Sequence, residues 1–245
     1  MANFVLVHGA WHGGWVWRHV VQGLAGAGHR VHAVTLTGLG ERAHLMSPAI
    51  TLETHITDVV NAIEMEEMDQ VVLAVHSYAG MIGTAIADRK PDCLRHLVYV
   101  DAVVPKPGES WSSTHASATR EARLVAAQAS PDFSFPPPDP AVYGLAAENA
   151  EWVGRHQTPH PGHTYQATLD FDPRRVAAIP RTFVNCTQPA LATIDAIRPR
   201  LADSRFWNGE WVSGGGVRVV ELKTGHDAMV SAPAELTRVL LDCAG

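Results

Sequence analysis

The sequence predicts an α/β fold: a mainly parallel sheet of about six strands flanked by helices, with a cap inserted near the middle of the chain. Three observations predict it. Short β-branched runs alternate with helix-like stretches, the pattern of a parallel sheet covered on both faces. Residues 71–75, VVLAV, are almost wholly apolar, as a strand buried on both faces must be. At 245 residues, 46% of them hydrophobic, the chain is long enough for one α/β domain with a sizeable core.

The elements follow in order. Residues 4–7 form the first strand, which ends in the Gly-rich turn HGAWHGG. A helix over 15–27 follows, closed by Gly28 as a C-cap. Residues 30–36 are the next strand and lead into the loop TGLGERAHL. A helix fits 52–65, where Ile56, Val59, Val60 and Ile63 make one apolar stripe. After the buried strand 71–75, a helix rich in small residues follows Ser77, runs to about 88 and stops before Pro91. Strands are expected over 97–100, 181–186 and 217–222. VSGGGV (212–217) reads as a flexible turn before the last strand. Pro233 then opens a final helix over 234–241, in the first-turn position that proline tolerates.

Residues 103–179 break this rhythm with FSFPPPDP, scattered aromatics and several histidines. They read as a cap over the sheet edge, inserted between core segments 1–102 and 180–245.

Charge and cysteines narrow the class. A net charge of −6 gives no basic field, which disfavours nucleic acid or an anionic membrane surface as partner. Cys93, Cys186 and Cys243 lie far apart with no C-x-x-C pairing, as suits reduced thiols. MANFVLVHGA has no basic n-region and only a short apolar run, so neither leader nor membrane span is expected. The expectation is a cytoplasmic protein. Its oligomeric state is not written in the sequence.

The chemistry centres on LAVHSYAGM, residues 73–81. Ser77 directly follows a buried strand and directly precedes a helix, the context that lifts a nucleophilic hydroxyl above the strand ends. A simple N-cap would occupy the same position. His226 weighs for the nucleophile, because the loop after the last strand carries it back over the sheet as a base for Ser77. Acyl transfer also needs donors for a developing oxyanion. The N–H groups of Ala10, in the first Gly-rich turn, and of Tyr78, next after Ser77, are the candidates. The phosphate spacings G-x-G-x-x-G and G-x-x-x-x-G-K-[ST] are both absent.

Taken together, VLVHGAWHGGWVW, GLGER, HSYAGM, LVYVDAVVP and TGHDAMVSAP resemble the α/β-hydrolase superfamily. More narrowly, they are similar to the branch that holds plant methylesterases, hydroxynitrile lyases and bacterial esterases. The resemblance spans nearly the whole chain and is weakest in the cap. It implies an α/β-hydrolase fold and a cofactor-free serine hydrolase with a Ser–acid–His order along the chain. The implied substrate is a small aromatic ester or carbamate, in particular a methyl carbamate of an aromatic heterocycle.

Two departures from the family pattern matter. The elbow has Val75 and Ala79 where relatives commonly carry glycine, so Val75 requires a neighbouring side chain to shrink. The second departure is the acid. FVNCTQPAL lacks the carboxylate that many relatives carry just after the penultimate strand. Asp101, closing the strand one earlier, is preferred as the acid, and Asp195 in LATIDAI is the alternative. Asp227 is expected to fix the loop beside His226.

Other chemistries fit less well. His8 and His12 flank a turn rather than share a helix face, His160 and His163 sit in a cap loop, and H-E-x-x-H is absent, so no metal is expected. A haloalkane dehalogenase would need Asp at position 77. Hydroxynitrile lyases carry Lys where this chain has Asp227, which disfavours cyanohydrin cleavage. A receptor that keeps the triad but turns over slowly stays open. Trp11, Trp111, Phe133, Phe135, Trp152 and Tyr165 are the candidates to line a flat apolar pocket, although half of them would serve equally as the cap's own core.

Overall fold

The computed structural model describes residues 1–203 and 217–245. Six strands form one sheet: β1 (Asn3–Val7), β2 (Arg30–Val34), β3 (Val71–His76), β4 (Leu94–Val100), β9 (Arg181–Cys186) and β10 (Val217–Leu222). Between β4 and β9 lie four two-residue strands: β5 (Glu109–Ser110), β6 (Ser134–Phe135), β7 (His160–Pro161) and β8 (Thr168–Leu169). The sheet order is β10-β9-β4-β3-β1-β2 and every neighbouring pair is parallel. The parallel sheet expected from the sequence is therefore present, with β9 and β10 at the expected bounds. The glycine run before β10 lies outside the described residues.

The apolar residues of β3 alternate between two cores. Val71, Leu73 and Val75 pack on one face with helices α2 (Leu52–Met65) and α3 (Gly80–Arg89). Val72 and Ala74 face the other side, with α1 (Arg18–Gly26) and the helix Pro233–Asp242. This two-sided burial is why β3 reads as an unbroken apolar run. α2 begins where its sequence predicts, because Thr51 and Thr54 exchange side-chain and backbone hydrogen bonds at its start. The first helix is shorter than expected: Gly14–Trp17 coil into a 3-10 turn before α1 begins.

The segment between β4 and β9 adds no strand to the main sheet. Its short strands pair among themselves, β5 with β8 and β6 with β7, beside helices α4 (Ser117–Ala129) and α5 (Ala147–His156). Trp111 and Phe135 of this segment reach down to Trp11, which follows β1, so it covers the carboxyl ends of the strands. That edge is where open parallel sheets bind ligands. Among the described residues no helix is long and apolar enough to cross a membrane.

Candidate active site

Three strands in the middle of the sheet end in left-handed backbone at non-glycine residues. Trp11 lies beyond β1 with φ of 64°, Ser77 follows β3 at 54°, and Asp101 follows β4 at 41°. Each conformation is unfavourable for a side-chain-bearing residue and persists only where the surroundings impose it. The surroundings here are tight. Gly80 lies so close to the chain beyond β4 that a Cβ would come within 1.8 Å of the Val103 carbonyl oxygen. The Val103 N–H donates to the Ser77 carbonyl at 2.9 Å. A Cβ on Gly9 would meet both the His76 ring and Ser77 Cβ at 2.8 Å. Ser77 is half-buried between these walls, while its neighbours are buried.

His226 lies over this turn. Its ring centroid is 4.5 Å from that of His76, and its carbonyl accepts from His76 Nε2 at 3.2 Å. Its backbone N–H donates to the Tyr143 carbonyl at 2.9 Å, which ties the histidine loop to the inserted segment. The imidazole Nδ1 donates to Asp101 Oδ2 at 2.7 Å, and both side chains are buried. That hydrogen bond leaves the proton on Nδ1 and frees Nε2 to act as an acceptor.

Asp101 is over-determined. Its N–H donates to the Val184 carbonyl at 2.8 Å, and its Oδ1 accepts from the Cys186 N–H at 3.4 Å and from Arg198 at 3.3 Å. Asp195, the alternative acid, is 63% exposed and pairs with the same Arg198 at 2.6 Å. One guanidinium thus meets both candidate acids, and only Asp101 contacts His226.

Asp227 turns away from Asp101 into a second buried cluster. Its Oδ2 lies 3.1 Å from His12 Nε2, and its Oδ1 3.6 Å from His76 Nε2. Burial alone would raise the Asp227 pKa, but the His12 charge and hydrogen bond outweigh it and hold the carboxyl at about 2. Burial likewise opposes charge on His12, yet Asp227 raises its pKa overall. His12 Nδ1 donates to the Ala10 carbonyl at 2.6 Å, so the pair braces the turn that carries the Ala10 N–H. The Asp227 carbonyl also accepts from the N–H groups of Val230 and Ser231, starting the next short helix.

Among the described residues, His76, His226 and Asp227 form one group whose possible metal-ligand atoms lie within 4.8 Å of one another. Their hydrogen bonds are committed elsewhere: His226 to Asp101, Asp227 to His12, and His76 Nε2 to the His226 carbonyl.

Of the backbone donors proposed for an oxyanion, one follows Ser77 in the chain and the other follows Gly9, where a Cβ would meet Ser77 Cβ at 2.8 Å. The Ala10 N–H makes no hydrogen bond among the described residues. The Tyr78 N–H is in the first turn after β3, where helical N–H groups lack intrahelical acceptors.

Of the six aromatics expected at the pocket, four come together. Trp11, Trp111, Phe135 and Tyr165 have ring centroids 4.8–6.1 Å apart across their contacts. Tyr78 joins them through Trp111 at 5.0 Å, and its hydroxyl donates to His55 Nδ1 at 3.1 Å. Phe133 and Trp152 do not join. Phe133 stacks on His163 at 4.2 Å. Trp152 packs on Trp15 at 5.0 Å and under the Arg18 guanidinium at 4.0 Å, in the α1 core. Amphipathic aromatics serve a core and a pocket equally well in sequence, and only the tertiary path of the insertion separates them. Sequence reasoning also missed Arg198, whose visible i, i+3 spacing from Asp195 marks only that pair, and the His12–Asp227 pair, which no local pattern announces.

A profile described as "Alpha/beta hydrolase family" matches residues 4–239. The chain is 39% identical to the carbendazim hydrolyzing esterase of Nocardioides sp. (strain SG-4G), covering 98% of each chain. It is 26% identical to methylesterase 7 of Arabidopsis thaliana, over 99% of this chain and 96% of the relative. In architecture it is similar to an extracellular α/β-hydrolase from a Paenibacillus species, with a TM-score of 0.81 at 20% identity over 100% of this chain and 99% of that one.

Proposed function

The chain belongs to the alpha/beta hydrolase family as a hydrolase of esterase type, and on that premise we propose that Ser77, His226 and Asp101 work as nucleophile, base and acid on a small aromatic ester or carbamate. The observation that carries the assignment is the 2.7 Å contact between Asp101 and His226 above the strained Ser77 turn. Ser77 Oγ attacks the carbonyl carbon while its proton passes to His226 Nε2, and Asp101 stabilises the imidazolium through Nδ1–H. The Ala10 and Tyr78 N–H groups hold the oxyanion. The alcohol leaves with the proton from His226. Water, deprotonated by the same histidine, then frees the acyl group.

For a methyl carbamate the leaving group is methanol, and the released carbamic acid loses carbon dioxide to give the amine. Nitrogen donation makes that carbonyl less electrophilic than an ester's, so its hydrolysis leans harder on the oxyanion donors. A methyl carbamate of an aromatic heterocycle is the proposed substrate class, supported by the 39% identity to the carbendazim hydrolyzing esterase and by the aromatic wall at the strand ends. No cofactor takes part in these steps. A cytoplasmic location belongs to the same reading and is supported by three free cysteines.

An organophosphonate probe tests the nucleophile: one adduct per chain on Ser77 is expected, and labelling elsewhere or none would sink the assignment. A panel of aryl esters, methyl esters and N-aryl methyl carbamates tests the class. Carbamate turnover at the uncatalysed rate, beside fast ester turnover, would leave a general methylesterase. Tight ligand binding with no turnover would make the protein a receptor.

A further inference from the structure

The cap holds a cation that the proposed mechanism does not use. Arg123 projects from α4 into the aromatic cluster, with its guanidinium carbon 5.0 Å from the Trp11 ring, 5.1 Å from Trp111, 5.3 Å from Tyr165 and 5.9 Å from Phe135. Four rings around one guanidinium stabilise it by cation–π attraction and fix its plane. Among the described residues no carboxylate stands within ion-pair distance of it. That is unusual in a chain of net charge −6, where acids outnumber bases. Its polar neighbours are His115, whose Nδ1 it meets at 3.2 Å, and Tyr165. The same His115 Nδ1 accepts from the Tyr165 hydroxyl at 2.7 Å, so one acceptor is shared by two donors. A guanidinium has five N–H groups, and most of these are left over.

Arg123 also lines a cavity. A cleft of about 360 Å³ is lined by Thr119, Ala122, Arg123 and Ala126 of α4, with Trp11 and Phe135 opposite. The prolines at 136–138 close one side. The four α4 positions recur at helical spacing, so one face of the helix builds this wall. A second unpaired donor is present: Trp11 is 6% exposed and its indole N–H has no hydrogen-bond partner. The cleft shares Trp11 and Phe135 with the ring cluster. Trp11 is the residue after Ala10, and Trp111 packs on Tyr78, so the ring cluster begins beside both proposed oxyanion donors.

We propose that Arg123 and the aromatic wall around it form an anion-recognising subsite, which selects substrates whose aromatic part carries a carboxylate remote from the scissile carbonyl. A planar ring would lie in the apolar cleft while its carboxylate accepts from the guanidinium edge in a paired, charge-assisted geometry. This subsite rests on the reading of Ser77 as nucleophile for its role in turnover, though not for binding itself.

The test uses two aryl methyl esters that differ only in a ring carboxylate or a neutral carboxamide. The wild-type ratio of kcat/KM, charged over neutral, should exceed about tenfold, as hydrogen bonds to charged groups provide. Arg123→Met should bring the ratio close to one, and Arg123→Lys should keep part of it. A wild-type ratio near one would overturn the proposal. So would an Arg123→Met variant that slows both esters equally and keeps the ratio, which is what a purely structural arginine would do. Benzoate binding, followed by tryptophan fluorescence in Ser77→Ala, separates the two readings. Arg123-dependent binding without turnover in the wild type would keep the subsite and remove the hydrolase mechanism. Benzoate binding that is equal in Arg123→Met would remove the subsite, whatever the esters do.

Discussion

Gly83 makes room for Val75: a Cβ on this α3 glycine would stand 2.9 Å from both valine methyl carbons and 3.0 Å from Leu97 Cδ1. The elbow thus keeps a bulky residue on the strand and removes the side chain on the helix. Gly83→Ala should therefore destabilise the fold by about 1–2 kcal/mol, the overpacking cost less the helix propensity it gains. Adding Val75→Ala should restore most of that loss. Urea unfolding of both singles and the double checks it, and additive effects would show that the two positions do not oppose one another.

Asp101→Asn should lower kcat by about a thousandfold or more, because the amide no longer favours the Nδ1–H tautomer of His226 or stabilises its cation. Asp195→Asn should stay within about twofold, since this exposed acid pairs with Arg198 in a surface-type contact and, among the described residues, does not reach His226. Steady-state kinetics on one activated ester decides between them. The reverse ranking would transfer the acid role.

The His12–Asp227 pair gives a third expectation. Asp227→Asn leaves His12 without its counter-charge in a buried site, a loss of about 3–5 kcal/mol for a broken buried pair. It also loosens the hold of His12 on the Ala10 carbonyl, so kcat should fall about tenfold or more with KM little changed. A raised KM with normal kcat would place the pair at substrate binding instead.

Buried neutral histidines set the acid limit. Burial lowers the pKa of His8 to about 3 and of His55 to about 4, and holds His76 and His160 well below the usual range. His8 shows why: its Nδ1 donates to the Gly9 carbonyl and its Nε2 accepts from the Leu36 N–H, an arrangement that only neutral imidazole allows. Below pH 6.5 the unfolded chain takes up these protons while the folded chain does not, so stability falls with falling pH. The slope should approach about 1.4 kcal/mol per pH unit for each such histidine between pH 6 and 4. His12 works in the opposite sense, since its raised pKa adds stability that is lost as pH climbs through it. Unfolding free energies measured at pH 7, 6 and 5 test the balance, and a flat profile would contradict it.

Much of this was legible in the sequence because periodicity and strand burial are local properties. Residues 52–65, 181–186 and 217–222 carry their own signals, and the structure gives those elements the same bounds. The same holds for the serine turn, where a buried strand meets a small-residue helix. The need for a smaller neighbour beside Val75 could be stated, but its identity as Gly83 depends on helix rotation. What escaped was long-range. Arg198 meets Asp101 across 97 positions and His12 meets Asp227 across 215, and no spacing rule spans such gaps. Trp152 packs on a different core from the four clustered rings, and Phe133 packs on the same core but stacks on His163, because the path of the insertion, not their chemistry, decides which neighbours each meets.

The left-handed serine has a consequence for durability. Replacing Ser77 with glycine would let the backbone hold the same φ without steric conflict, a relief of about 1 kcal/mol. Ser77→Gly should thus outlast both the wild type and Ser77→Ala on heating. With Ser77 as the proposed nucleophile, a laboratory selection for heat resistance alone would then drift toward molecules that endure longer and no longer turn over substrate.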